Sequence, residues 1–189
     1  MTGTAQHRTM PELEAGLDDV RQSPKDEGPV QLIVRRPERE ERELVAEARL
    51  DIDEGLVGDN WKTRGSTGTP DGSADPEMQV TLMNSRAADL MTGSRERWHL
   101  AGDQLFVDLD ISMTNLPPGT RLAVGTAVLE VSAAPHKGCA KFSGRFGADA
   151  LRLVSSAMGQ ELCLRGINAK VVRSGAVRVG ESVRKLGTV

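Results

Sequence analysis

The sequence predicts a mostly β, barrel-like fold with a few short helices, and three observations lead to this prediction. Apolar residues recur at every second position in segments that follow Pro29, as in half-buried strands. Glycines punctuate these segments at short intervals, which is typical of a small barrel or a folded-over antiparallel sheet. Helical patterns occur only in short stretches. We therefore expect a β-rich domain over residues 28–189, preceded by an N-terminal extension over residues 1–27.

The N-terminal extension contains one helix signal followed by a linker. Thr9 and Glu12 have the spacing of a capping box. The apolar residues that follow at helical spacing are Leu13, Leu17 and Val20. We predict a helix over residues 10–21. Residues 23–29 then predict a linker, because two prolines and a glycine bracket charged residues there.

The rest of the chain alternates predicted strands with two predicted helices. The strand segments are 30–34, 44–50, 78–83, 105–109, 121–124, 127–132, 163–172 and 176–186. One helix is predicted over 84–92, with Asn84 as its cap, and the other over 148–158, ended by Gly159. Residues 57–77 are rich in Gly, Ser, Thr, Asp and Pro, and loops of that length are usually mobile or functional.

Composition excludes several classes of protein. The chain has 189 residues, a net charge of −3 and a pI near 5.7, which argues against a general nucleic-acid binder. Two cysteines cannot form a disulfide framework, which predicts a cytoplasmic protein with free thiols. No apolar signal segment lies in the first 25 residues, and no apolar run is long enough to span a bilayer. We therefore expect no nucleic-acid or membrane partner.

The chemically informative stretch is residues 134–148, which surrounds a cysteine with positive charge. Its charged or titratable members are His136, Lys137, Lys141 and Arg145, and no acidic residue lies among them. Nearby cations favour the thiolate form of Cys139, which is the reactive form. Gly138 would allow close approach of a ligand, and the positive end of the helix after Gly147 would add to the field.

The two cysteines are predicted to differ in role. Cys163 lies between Leu162 and Leu164 in a predicted strand, which indicates a structural residue. Cys139 is predicted to be the reactive thiol. A lone cysteine is also often a small buried hydrophobe, and basic loop residues are often merely solvated. Composition alone therefore leaves the role of Cys139 open.

An ordered set of motifs connects the chain to a known family. The motifs are Gly58-Asp59, Gln79-Val80, Gly102-Asp103, Asn115-Leu116, Gly119, Pro135 through Cys139, Gly166 through Val171, Gly175 and Gly180. Taken together, they resemble the MOSC domain, named for the C-terminal domain of molybdenum-cofactor sulfurases. The resemblance covers roughly residues 30–186, and its specificity comes from the ordered set of motifs ending in the cysteine, since each motif alone is a weak signal.

The resemblance implies a barrel-like fold and a functional cysteine at the position of Cys139. In sulfurases this domain engages the molybdenum cofactor and receives sulfur, while a separate pyridoxal-phosphate domain extracts the sulfur from cysteine. We expect no pyridoxal-phosphate domain in this chain. In a related branch that reduces amidoximes, the matching cysteine ligates molybdenum. A soft, nucleophilic thiolate suits either role.

The chain also departs from the family pattern. Many members carry arginines directly before the Asn-Leu pair, where Met113 and Thr114 stand here. The His-Gly-Gly that often follows the Gly-Asp pair is absent, and Arg64 is a candidate substitute. These departures weaken the prediction of a tightly held pterin more than that of a reactive cysteine.

Three hypotheses follow for the function. The first is a stand-alone sulfur carrier or sulfurtransferase, with a persulfide on Cys139 assisted by His136 and Lys137 and supplied by a cysteine desulfurase. The second is a molybdenum-cofactor enzyme that reduces N-hydroxylated compounds with a redox partner, in which Cys139 ligates the metal. The third is a non-catalytic domain that binds a small anion. The predicted cofactor-binding residues are Asp103, Asn115, Lys141 and Arg145. Aspartate and asparagine are also common in turns, so Asp59, Asp103 and Asn115 have a structural alternative.

Overall fold

Strands build the framework of residues 7–188, the part of the chain that the computed structural model describes. The strands are β1 Glu27–Arg35, β2 Glu43–Val45, β3 Glu47–Asp51, β4 Gly55–Leu56, β5 Val80–Asn84, β6 Leu105–Val107, β7 Thr120–Val124, β8 Ala127–Val131, β9 Ile167–Arg173, β10 Gly175–Arg178 and β11 Ser182–Thr188. The predicted mostly β fold class is confirmed.

Seven of these strands close into a barrel in the order β1, β6, β5, β9, β8, β7, β11 and back to β1. Neighbouring strands are antiparallel except β5 and β6, which are parallel. Closure depends on β1, whose first residues pair with β11 and whose later residues pair with β6. The interior is filled by buried aliphatic side chains, among them Ile33, Leu82, Leu129 and Val183. Closing the sheet removes its exposed edges, and burying these side chains stabilises the barrel.

Two predicted strands are each divided in the structure. The segment 44–50 separates at Ala46, where the chain leaves the barrel sheet and enters a small sheet of β10, β3 and β4. The segment 176–186 separates around Gly180, which has a φ of 94°. A turn with positive φ is accessible to glycine at little cost, so the chain reverses there between β10 and β11.

The helices are short. They are α1 Met10–Ala15, α2 Leu17–Arg21, α3 Trp61–Arg64, α4 Ser85–Thr92, α5 Ala140–Phe146, α6 Ala148–Ser155 and α7 Ala157–Glu161, with 3₁₀ turns at Pro76–Met78 and Arg95–Ala101. A second apolar core forms where several of them cover the outside of β5 and β6. In it Phe142 and Phe146 of α5 join Met83 and Phe106 of the strands. None of the helices within residues 7–188 has the length and apolarity needed to cross a membrane.

The N-terminal capping box is confirmed, since the Glu12 carboxylate accepts hydrogen bonds from the Thr9 backbone N–H at 2.7 Å and from its hydroxyl at 2.8 Å. The predicted helix over 10–21 is divided at Gly16. A Cβ there would lie 2.3 Å from Leu90 Cδ1, so glycine allows α4 to approach closely. The linker over 23–29 is shorter than predicted because β1 already begins at Glu27. The division at residue 27 itself stays a prediction.

The helix at 84–92 is confirmed: the Asn84 side chain accepts hydrogen bonds from the N–H groups of Arg86 and Ala87. The helix at 148–158 ends earlier, at Ser155. Ser156 then caps α7, which contains Gly159 rather than ending at it. A Cβ on Gly159 would lie 2.0 Å from the Leu153 carbonyl oxygen, so this glycine allows the two helices to pack.

Candidate functional site

A cavity of about 930 Å³ opens beside Cys139. Its walls come from segments that are far apart in sequence. They are the β1–β2 connection at residues 36–42, the loop at 60–66, the turn at Ala101-Gly102, and the stretch from His136 to Arg145. Two more residues contribute to the wall: Arg165, which lies just before β9, and Asn168, which lies within it. The loop at 57–77, predicted to be mobile or functional, thus contributes to the cavity.

Positive charge dominates the lining. The cationic side chains are Arg36, Arg39, Arg42, Arg64, Lys137, Lys141, Arg145 and Arg165, against three acidic ones, Glu38, Glu40 and Asp75. Burial lowers the pKa of Arg42 and of Arg64, and the neighbouring Arg36 lowers both further. Arginine nevertheless stays protonated in proteins. The acidic chain therefore concentrates mutually repelling cations in one cavity.

Arg36 is fixed in the inner wall by Asp59. Arg36 Nε and Nη2 donate to the two Asp59 carboxylate oxygens at 2.8 and 2.9 Å, and the Arg36 backbone N–H donates to the same carboxylate at 3.0 Å. Arg36 Nη1 donates to the Gly102 carbonyl oxygen at 2.9 Å. The Asp59 side chain is completely buried. Such a two-pronged pair holds the guanidinium in a single orientation.

A second buried cluster joins Asp103, Arg165 and His136. Arg165 Nη1 donates to Asp103 Oδ2 at 2.6 Å. His136 Nδ1 lies 3.3 Å from Asp103 Oδ1, but the angles do not suit a hydrogen bond, and both atoms lack a partner among residues 7–188. Burial raises the pKa of Asp103, and Arg165 opposes that rise. Burial, followed by Arg165, holds the pKa of His136 well below its usual value. At neutral pH His136 is therefore an uncharged imidazole.

Gly166 gives this cluster its shape. Its φ is 104°, and a Cβ would lie 2.5 Å from the Leu82 carbonyl oxygen and 3.0 Å from Asp103 Oδ1. The same Cβ would approach His136 Nδ1 to 3.1 Å. Glycine is required here both by the backbone conformation and by the absence of space.

Cys139 has an exposed thiol at the cavity and directly precedes α5. One expectation about its surroundings is wrong. The stretch after it is not a loop, because α5 begins at Ala140, ahead of the predicted helix start. Gly138 also lies close to α6, since a Cβ there would lie 2.6 Å from Leu151 Cδ1, and its role in ligand approach stays a prediction.

Lys141 and Arg145 lie four residues apart on α5 and therefore share one face of it. Both form ion pairs with Glu40, Arg145 Nη2 at 2.7 Å from Glu40 Oε2 and Lys141 Nζ at Glu40 Oε1. The pairs hold the β1–β2 connection against α5 at the mouth of the cavity.

The structure brings most of the predicted site residues together. Those that line the cavity are Cys139, His136, Lys137, Lys141 and Arg145. Asp103 does not line it but supports Arg165 from behind.

Asn115 lies elsewhere, and its predicted cofactor-binding role has no support in its position. Its amide donates to the carbonyl oxygens of Lys25 at 2.8 Å and Asp110 at 2.7 Å, while its carbonyl oxygen accepts from Lys185 Nζ at 2.9 Å. The side chain is used to join chain segments, which is the structural alternative for this residue.

Several site residues were missed in the sequence. Arg36, Arg39 and Arg42 come from a charge run that directly follows β1, and such a run at a strand end was the available signal. Arg165 has no comparable signal, because it stands alone before Gly166. Arg64, the candidate substitute for the absent family residues, does line the cavity.

Cys163 is not in a strand, contrary to prediction. It lies in the turn between α7 and β9 with a φ of 48°, and it lines a second cavity of about 560 Å³. Burial, then the nearby Asp110, raises the pKa of Cys163 to about 11. Its thiol is protonated at neutral pH and therefore a poor nucleophile.

A metal site made by protein side chains alone is not present in the described part of the chain. No group of three or more His, Cys, Asp or Glu side chains there could hold a metal ion. Cys139 is thus a single soft donor beside a cationic cavity.

Comparisons with known proteins agree with this architecture. The sequence profile of the MOSC domain matches residues 73–184. The fold is similar to that of the YuaD protein of Bacillus subtilis, with a TM-score of 0.63 and 14% identity over 83% of this chain and 94% of that one. It is also similar to YiiM of Escherichia coli, with a TM-score of 0.56 and 19% identity over 86% and 71% of the two chains.

YiiM of Geobacillus stearothermophilus gives a TM-score of 0.56 at 15% identity, over 85% of this chain and 75% of that one. A comparison with curated protein sequences finds no match. The profile match spans more than half of the residues, and the overall fold is similar to that of the solved structures. The chain therefore belongs to the MOSC domain family.

Proposed function

We propose that the cationic cavity binds the molybdenum cofactor, with arginines on its phosphate and the Cys139 thiolate as the protein ligand of the metal. The MOSC family is associated with this cofactor in general. The observation that carries the proposal is the convergence of eight cationic side chains on one cavity that Cys139 also lines.

Charge is the first argument. Arg39, Arg64 and Lys137 have no ion pair with any of residues 7–188. Cations held close together repel one another, and a phosphate group, with a charge of about −1.5 to −2 at neutral pH, relieves this repulsion. Arginine suits phosphate especially well, because its planar fork donates two parallel hydrogen bonds.

Unpaired polar atoms in the walls are the second argument. Arg42 Nε, Asn60 Oδ1 and Asn168 Oδ1 are buried and have no hydrogen-bond partner within the described residues. A buried polar atom without a partner is costly, so such atoms commonly mark the place of a ligand or an ordered water. A pterin carries ring donors and acceptors of both kinds, which fits a wall that offers both.

The donor set is the third argument. One thiolate cannot hold a metal ion in a protein by itself, but it can complete the coordination of a metal that arrives with its other ligands in place. The bound cofactor would supply two-electron redox chemistry at that metal. The Asp59 and Asp103 carboxylates would hold the guanidinium groups of Arg36 and Arg165 in place to bind the cofactor. The neutral His136 would offer a hydrogen bond without adding charge.

The test is the molybdenum and pterin content of protein purified from a molybdenum-replete host. We expect near-equimolar amounts of both in the wild type and a loss of most of both in Arg42→Gln/Arg64→Gln. The matched control, Arg49→Gln/Arg152→Gln, removes the same charge from exposed positions away from the cavity and should retain both. Absence of molybdenum from the wild type would contradict the proposal and favour a domain that binds a simpler anion.

A second candidate function, sulfur transfer, is favoured by the exposure of Cys139. In this function the Cys139 thiolate attacks the outer sulfur of a donor persulfide, a new S–S bond forms on Cys139, and the donor cysteine leaves as a thiolate. Lys137 and Lys141 line the same cavity as Cys139 and would attract a negatively charged donor persulfide to it. His136 would not contribute charge, because burial lowers its pKa.

The donor would be a cysteine desulfurase, and intact-mass analysis tests the step. After incubation with a desulfurase and cysteine, the wild type should gain the mass of one sulfur, and Cys139→Ala should gain none. Equal gain in both proteins, or none in the wild type, would reject sulfur transfer while leaving cofactor binding open.

A further inference from the structure

The β1–β2 connection forms a strap across the mouth of the cavity. The strap, residues 36–42, begins with Arg36 in the inner wall and returns to the sheet at β2. It is fastened to α5 at its middle by one side chain, Glu40. The strap adds both positive and negative charges to the mouth.

Glu40 contacts two cations of α5 at once, the exposed Lys141 and the partly buried Arg145. One carboxylate oxygen accepts from Arg145 Nη2 at 2.7 Å, and the other accepts from Lys141 Nζ. The backbone of Glu40 has a φ of 70°, a conformation that non-glycine residues seldom adopt. The strap thus turns at the residue whose carboxylate contacts both cations.

We propose that Glu40 is a built-in competitor for the anion that the cavity binds, and that it sets a preference for phosphoryl dianions over singly charged anions. The carboxylate occupies the places on Lys141 and Arg145 that a phosphoryl group would take. A ligand must displace it, and the strap then opens. The inference rests on the proposed function only in requiring that the cavity takes an anion.

Exposure makes this displacement feasible. The Glu40 side chain is 49% exposed, that of Lys141 is 56% exposed and that of Arg145 is 26% exposed, so water reaches both contacts and screens them. The Arg36–Asp59 pair, by contrast, is buried, and an incoming anion would not separate it. A dianion has the stronger attraction for two cations, so it gains more than a monoanion from replacing one carboxylate.

Glu38 provides a matched control on the same strap. It lines the same cavity, but no ion pair joins it to any of residues 7–188. Glu38→Gln and Glu40→Gln therefore make the same change of net charge in the same strap. Only Glu40→Gln frees Lys141 and Arg145.

The experiment is calorimetric titration of the full chain with inorganic phosphate, at a pH where phosphate is mostly a dianion, and with nitrate as the monoanion. We expect Glu40→Gln to bind phosphate about three- to tenfold more tightly than the wild type. Glu38→Gln should change the affinity by less than about twofold. For Glu40→Gln the gain with nitrate should exceed the gain with phosphate, because removing the competing carboxylate removes the preference for the dianion.

Three results would overturn the inference: an equal gain in both variants, weaker binding by Glu40→Gln, or no phosphate binding by any of the proteins. Hydrogen exchange gives an independent readout, since phosphate should speed exchange of the strap amides in the wild type and leave those of Glu40→Gln unchanged. If the phosphate titrations give the expected result but the purified protein contains no molybdenum, the proposed function is rejected and this inference is supported.

Discussion

The inner wall of the cavity and its mouth use the same kinds of charged pair in different environments. In the inner wall Arg36 pairs with a carboxylate, Asp59, that is completely buried. At the mouth Lys141 and Arg145 pair with Glu40, which is half exposed. Breaking a buried pair leaves an unsatisfied charge in a medium that cannot solvate it, whereas water replaces either partner of an exposed pair. The inner wall is therefore a fixed framework and the mouth is exchangeable.

Removing the inner carboxylate should have the largest effect. Asp59→Ala leaves the Arg36 guanidinium buried without its partner, and we expect a loss of about 3–5 kcal/mol in the free energy of unfolding. Urea denaturation followed by tryptophan fluorescence measures it. Glu40→Gln should leave the midpoint unchanged within error. A similar loss in both variants would contradict the distinction between the inner wall and the mouth.

Gly166→Ala tests the shape of the inner wall. Alanine at this position would have to adopt a φ of 104°, and its Cβ would lie 2.5 Å from the Leu82 carbonyl oxygen. We therefore expect the free energy of unfolding to fall by roughly 2–4 kcal/mol. Gly180→Ala is the matched control. Its φ is 94°, but no atom lies within 4 Å of the added Cβ, so only the conformational cost of about 1 kcal/mol should appear. Thermal and urea denaturation of the two variants should rank them in that order.

His136 should make the inner wall sensitive to acid. Burial holds its folded-state pKa well below 6.5, so the unfolded chain binds more protons than the folded one as the pH falls. The neutral imidazole's contribution to the free energy of unfolding is fully present above pH 6.5 and is lost as the pH drops below that value. We expect the free energy of unfolding to fall by about 1–2 kcal/mol between pH 7 and 5. His136→Gln should have a smaller slope over the same interval, and an equal slope would exclude this histidine as the cause.

The two cysteines give a chemical form of the same comparison. Cys139 is exposed at the mouth, while burial raises the pKa of Cys163 to about 11. With limiting iodoacetamide at pH 8, we expect Cys139 to be alkylated at least about tenfold faster, because the thiolate is the reactive form. Peptide mapping by mass spectrometry assigns the adducts, and preferential labelling of Cys163 would reverse the assignment.

Local signals in the sequence predicted the local structure well. The Thr9–Glu12 capping box and the Asn84 cap depend on residues within one helical turn, and both form as expected. The helix α5 was missed, because its seven residues include a glycine and follow a basic stretch that was interpreted as a loop. Short helices gain most of their stability from packing, here through Phe142 and Phe146, and such packing has no signature in a local pattern.

The candidate site could be predicted only around its cysteine. The basic stretch at 136–145 is contiguous in sequence, and its members do line the cavity. The other arginines reach the cavity through the closure of the barrel, which brings the end of β1 next to the turns before β6 and β9. Asn115 illustrates the reverse case, because a motif position was predicted to bind cofactor and instead joins chain segments.

Molybdenum-edge X-ray absorption compares the sulfur ligands of the metal in the wild type and in Cys139→Ser, and it tests the central claim most directly. If the cavity holds the molybdenum cofactor and Cys139 ligates the metal, the wild type should contain molybdenum, and the variant should show one sulfur ligand fewer. Cys163→Ser, the matched control, should leave the spectrum unchanged. A wild type without molybdenum, or equal sulfur coordination in the wild type and Cys139→Ser, would contradict the account.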